Sequence, residues 1–367
     1  MKRIISVLAA VMLVMTLASC DKDVPPVTKT SNPKTLETMT LEEKVGQLLF
    51  VRCPDPQSVD KMMEINPAGI LMFGRDFDGL TRDEVIDKIK DFQSKSNIPL
   101  IIGVDEEGGT VVRVSANPNL APEKYKSPQE IFREGGMEAL IANATEKSEL
   151  LLSLGINMNL APVADLPQTE SDFIYDRSMG TDVNITADGV KNIVLAMRTA
   201  GIASCLKHFP GYGNNVDTHT GIAVDNRDIE SFSQRVTDEV TGEQSGGDFV
   251  PFQAGIAAGA DAVLVSHNIV TCMDADLPAS LSPAVHEILR DELGFNGVIM
   301  TDDIAMGAVS DVEDVYIKAV NAGNDLLITT DYDTAYNEIL SAVKNGEISM
   351  ETINRAVEHI LKLKGLI

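Results

Sequence analysis

The chain has 367 residues, of which 30 are Lys or Arg and 55 are Asp or Glu, giving a formal charge of -25 at pH 7. So acidic a composition argues against nucleic acid and against electrostatic docking on anionic lipid. The four cysteines show no CxxC spacing, so neither a disulfide framework nor a zinc site is expected.

At the N-terminus, Lys2 and Arg3 precede an apolar stretch from Ile4 to Leu17 that is short for a transmembrane helix. Leu17-Ala18-Ser19-Cys20 resembles the bacterial lipobox. Residues 1–19 are therefore expected to be a lipoprotein signal peptide, with Cys20 the lipidated first residue of the mature chain. Loss of Lys2 and Arg3 would make the mature protein about two charges more negative. Residues 20–36 read as the lipidated Cys and a flexible tether, with Pro, Ser, Thr and charged residues predominating. The expected location is extracytoplasmic and membrane-anchored. Asp21 would favour the inner membrane in some Gram-negative sorting systems, but which membrane carries the anchor is left open.

Roughly 330 residues follow the tether, a length ordinary for a barrel and large for most other single cores. Eight short apolar runs punctuate them: 46–51, 69–73, 100–105, 158–165, 203–209, 262–267, 297–302 and 325–329. These runs are nearly continuous rather than alternating, as expected of strands buried on both faces of a parallel sheet. Cys53 and Cys205, at the end of one apolar run and inside another, read as small buried hydrophobes. Between the runs, Thr40 with Glu43 and Thr81 with Glu84 form capping boxes, and residues 187–200, 335–343 and 350–363 carry apolar residues at helical spacing. Strands alternating with helices predict one (β/α)8 TIM-type barrel over residues 37–367 with no second domain. A doubly wound open sheet is the competitor, and the count of eight favours the barrel.

Polar residues gather at the ends of the runs: Asp105 and Glu106, Asp165, Lys207 and His208, His267, and Asp302. In a parallel barrel those ends share one face, which is the candidate active site. Asp302 could serve there as nucleophile, general base or metal ligand, with Asp303 beside it a structural partner. Asp217 and His219, two apart in a Gly/Asn-rich loop, suit a carboxylate that holds and polarises an imidazole for acid/base work. His208, His219, His267, Asp217 and Asp302 include metal-ligating types but form no compact ligand motif, so no metal is expected. Nucleotide-binding glycine motifs and the GxSxG elbow are both missing.

The motifs VDEEGGTVVRV (104–114), NMNLAPVADL (157–166), DRSMGTD (176–182), KHFPGYGNNVDTH (207–219), ADAVLVSH (260–267), GFNGVIMTDDIAMGAV (294–309) and NAGNDLLI (321–328) resemble glycoside hydrolase family 3, and within it the β-N-acetylhexosaminidase branch. The resemblance implies a retaining exo-β-N-acetylglucosaminidase acting on peptidoglycan fragments or chitin-type oligosaccharides, with no organic cofactor. It further implies Asp302 as nucleophile, and His219 held by Asp217 as acid and then base, a departure from the usual carboxylate pair. Asp105, Arg113, Arg177, Lys207 and His208 would bind the sugar hydroxyls and N-acetyl group.

The sequence departs from the family pattern at Tyr212 and Asn214, which replace a His and an Asp, at Thr110, which replaces an Arg, and at Met179, which replaces an aromatic residue. These changes leave the preferred substrate open. Alternatives are a β-glucosidase, or a phosphorylase in which His219 repels incoming phosphate less than a carboxylate would. From another class, the alternative is a non-catalytic sugar-binding lipoprotein.

Overall fold

The computed structural model describes residues 35–215, 221, 223–233, 235–237 and 244–367. The expected signal peptide, Cys20, Asp217 and His219 lie outside the described residues.

All eight apolar runs contain strands: β1 Leu49–Arg52, β2 Gly69–Met72, β3 Ile101–Val104, β4 Met158–Asn159, β5 Ala203–Phe209, β6 Ala262–Val265, β7 Val298–Thr301 and β8 Leu327–Thr329. Every ladder between them is parallel, in the order β7-β6-β5-β4-β3-β2-β1-β8. The two outer strands of that order meet. Met300 bridges Leu326, and the Thr301 N–H donates to the Leu326 carbonyl at 3.1 Å. This near-closure makes the sheet a TIM-type barrel and excludes the open doubly wound alternative.

Alternation along the strands sorts the core into an inside and an outside. Phe50, Leu71, Ile101, Met158, Cys205, Leu264, Met300 and Ile328 pack together as one buried cluster within the ring. Their neighbours Leu49, Val51, Ile70, Met72 and Ile102 join the layer between strands and helices. Gly103 sits where a Cβ would come within 2.5 Å of Phe50 Cζ, so its missing side chain is what admits the Phe50 ring. The helices follow the start signals. Thr40 and Thr81 make both capping boxes, and a third, Ser127 with Glu130, opens the long helix Pro128–Leu154. Helix Val183–Ala200 ends at Gly201, whose φ of 89° few other residues tolerate. The last helix, Met350–Leu363, buries Ile353, Ala356, Val357, Ile360 and Leu361 at the three- and four-residue steps read from the sequence.

The fourth run is less regular than its sequence suggests. Only Met158 and Asn159 form a strand, because Pro162 has no N–H for a ladder; Val163 regains a single bridge to Lys207. Leu160 and Ala161 still bond to both neighbouring strands, through Leu160 N–H to the Val104 carbonyl at 2.8 Å and Cys205 N–H to the Ala161 carbonyl at 2.9 Å, and beyond Pro162 the chain carries Asp165 to the end of β5, where Ala164 N–H bonds to the Lys207 carbonyl at 2.7 Å.

Candidate active site

A cavity of about 370 Å³ opens where the C-terminal ends of the strands converge. Asp105, Arg113, Arg177, Lys207, His208 and Asp302 all line it, so the structure brings together the described residues to which the family resemblance gives a role, whereas Glu106, Asp165 and His267 of the expected strand-end cluster do not line it. The cavity also takes in Arg52, Phe73, Glu107 and Asp303. Another cavity, of about 330 Å³, lies at the opposite ends of the strands, lined by Pro99, Arg198, Asp261 and Lys364 among others, and gathers none of these groups.

The strand β5 supplies two adjacent residues, Lys207 and His208, to one cavity, which a regular strand would not do. Its register against β6 shifts between Leu206 and Phe209, and this irregularity turns both side chains inward. Lys207 is buried and places its ammonium 2.6 Å from Asp105 Oδ1 and 2.6 Å from Glu107 Oε1. Glu107 also receives two bonds from Arg177, from Nε at 3.0 Å and Nη2 at 2.8 Å. Burial alone would push the Glu107 carboxyl up, but Arg177 and Lys207 outweigh it and hold the group far below the usual carboxylate range. Desolvation works against the Lys207 ammonium too, and Asp105 and Glu107 overcome it, raising its pKa. The result is a largely buried, mutually oriented set of charges.

His208 is fixed by Asp165, the fourth strand end's member of the polar cluster, for which the sequence suggests no specific role. Asp165 is fully buried and accepts from His208 Nδ1 at 2.7 Å, from the His208 N–H at 3.0 Å and from the Tyr212 N–H at 2.8 Å. With Nδ1 donating to the carboxylate, Nε2 is left to accept from Arg177 Nη2 at 3.2 Å, which selects the neutral tautomer. The Tyr212 ring packs edge-on to His208, with centroids 5.1 Å apart, so this departure from the family pattern buttresses the site from behind.

The structure reverses the expected placement of Glu106 and Glu107. Glu106 turns into the protein and accepts from the backbone N–H groups of Arg113 and Val114, both at 2.7 Å, and from Ser115. It thus shapes the turn that delivers Arg113, while Glu107 enters the cavity. Continuing the strand alternation past Asp105 would have found this: 105 and 107 face in, 106 faces out. Lys147, buried behind the turn, donates to the Glu107 carbonyl at 2.6 Å, and burial lowers its pKa to about 8.

Asp302 follows β7. Its N–H is bonded to the Val265 carbonyl at 2.9 Å, and its Oδ1 accepts from the Asp303 N–H at 2.8 Å. His267 lies beneath, bonded to Ser280 and to the Asp303 carbonyl, and supports the wall rather than entering the cavity. Among the described residues, no group of three or more His, Cys, Asp or Glu is placed to hold a metal ion. Among the described residues, the carboxylates Asp105, Glu107, Asp302 and Asp303 line the cavity together with the cations Arg52, Arg113, Arg177 and Lys207, so hydrogen-bond donors and acceptors of both signs face its interior.

Residues 40–363 match the glycosyl hydrolase family 3 N-terminal domain. A β-hexosaminidase of Xylella fastidiosa (strain M23) is 33% identical over 294 residues, 78% of this chain and 83% of the relative. A β-hexosaminidase of Hydrogenovibrio crunogenus is 31% identical over 324 residues, 83% of this chain and 85% of the relative. Among solved structures, a family 3 β-N-acetylglucosaminidase from Paenibacillus sp. str. FPU-7 superposes with a TM-score of 0.79 at 30% identity. That match covers 89% of this chain but only 62% of the Paenibacillus chain.

Proposed function

The chain belongs to glycosyl hydrolase family 3, and from that premise we propose that it is an exo-acting β-N-acetylhexosaminidase that removes terminal N-acetylglucosamine from peptidoglycan fragments or chitin-type oligosaccharides. The observation that carries this reading is the single cavity in which Asp302 shares its walls with the Asp105, Lys207, Glu107, Arg177 and His208 network. Asp105, Arg113, Arg177, Lys207 and His208 bind the sugar; because Lys207 and Arg177 are already locked by Glu107, they meet it without reorganising.

In the proposed reaction Asp302 attacks the anomeric carbon while His219, held by Asp217, protonates the departing oxygen. The glycosyl ester that forms on Asp302 is then displaced by a water that His219 deprotonates, so configuration is retained. The test is turnover on aryl β-N-acetylglucosaminide and aryl β-glucoside in parallel, with and without phosphate. Selective hydrolysis of the first, unaffected by phosphate, is expected. Preference for the glucoside, or phosphate-dependent formation of a sugar phosphate, would overturn the specificity or the acceptor.

The proposal includes lipidation at Cys20 and an extracytoplasmic, membrane-anchored location, supported by the Leu-Ala-Ser-Cys motif and the apolar stretch before it. Cys20→Ser should move the protein from the membrane fraction to an unlipidated form with unchanged specific activity. A lipid-free mature N-terminus in the wild type, read by mass spectrometry, would contradict it.

A further inference from the structure

We propose that the ion pair between Arg52 and Asp303 positions the Asp302 carboxylate, making Arg52 a positioning residue for the reaction although it stands at the end of β1, far from Asp302 in sequence. This rests on the reading of Asp302 as the nucleophile. Residue 303 is pinned at four atoms. Its Oδ2 receives Arg52 Nη1 at 2.9 Å, its Oδ1 receives the Ala305 N–H at 3.0 Å, its carbonyl receives His267 Nε2 at 3.1 Å, and its N–H is aimed at Asp302 Oδ1 at 2.8 Å. Three of those contacts hold the residue in place, so the fourth presents a fixed N–H donor to the carboxylate that must attack.

Arg52 is itself held. Its guanidinium lies over the Phe73 ring, 4.2 Å from the centroid, at the end of β2. The Asp302 carboxylate is thereby referenced to β1 and β2 across the barrel as well as to its own strand β7. The pair also serves an electrostatic need: burial pushes the Asp303 carboxyl up, the Ala305 N–H and Arg52 oppose that, and nearby Asp302 adds to it. Without Arg52, two adjoining carboxylates would face each other with less compensation, and the cheapest relief is for one of them to rotate or take a proton.

The experiment measures kcat and KM on an aryl β-N-acetylglucosaminide for wild type, Arg52→Met, Arg52→Lys, Asp303→Asn and Asp302→Asn, with thermal melts of each. Misplacing an attacking group costs on the order of 10- to 100-fold in rate, so R52M and D303N should lower kcat by about that factor while KM stays within about threefold. Lysine can still make the one ion pair that the geometry uses, so R52K should recover part of the lost kcat. A merely structural role predicts otherwise: activity per folded molecule near wild type, with the defect confined to the melting temperature. Wild-type kcat in R52M, or a loss that R52K does not recover, overturns the inference while leaving the nucleophile reading intact. Wild-type turnover by D302N overturns that reading instead.

Discussion

Glu107 shows how a single buried carboxylate can organise a site. It holds Lys207 and Arg177 in the orientation in which the sugar would meet them, and its removal leaves two cations in a largely buried pocket with Asp105 as the nearest remaining counter-charge. Breaking a buried pair from one side costs about 3–5 kcal/mol, so Glu107→Gln should destabilise the protein by that order and raise KM. The pH dependence has a definite sign. A carboxyl held below its ordinary value of 4.5 contributes stability that is complete above that pH and is lost as pH falls below it. Thermal melts between about pH 3 and pH 7 should therefore show a steeper acid loss in wild type than in E107Q; parallel curves would contradict the assignment. The sequence made Asp105, Lys207, His208 and Asp302 legible because strand ends and family motifs coincide there, and Arg113 and Arg177 legible through the family motifs alone. Glu107, Asp165 and Arg52 were not assigned because their importance lies in whom they touch, and a contact such as Lys207 with Glu107 spans a hundred residues of chain.

At the level of elements, the eight strands were readable because each is buried on both faces, which leaves a continuous apolar run ended by a turn signal. The helices were readable from caps and spacing. What escaped was the local irregularity that serves the site: β4 stops after two residues, and the register of β5 slips where Lys207 and His208 turn inward. Neither has a periodic signature: the break after β4 rests on the single residue Pro162, and the slip in β5 on how it settles against β6. Barrel packing gives a separate test. Gly103→Ala sets a methyl group against Phe50 inside the ring, and overpacking of this kind costs about 1–3 kcal/mol. Denaturant unfolding should show that loss, and Phe50→Leu in the same chain should recover part of it. A neutral G103A would mean that the β1 and β3 interior is looser than described.

For the whole molecule, the contrast between its exterior and its site is informative. The chain carries a net charge of -25, whereas the described residues lining the cavity include cations as well as carboxylates, so charged donors and acceptors are both offered to polar groups. That combination suits an uncharged sugar delivered to a fixed carboxylate. Trapping of the covalent intermediate decides directly whether Asp302 is the nucleophile. The enzyme is incubated with a 5-fluoro N-acetylglucosaminyl fluoride, which forms the glycosyl ester faster than water removes it, and the digested protein is read by mass spectrometry. One added sugar is expected on the peptide carrying Asp302, attached at Asp302. A sugar on any other residue, or none while an aryl N-acetylglucosaminide is still turned over, would contradict it.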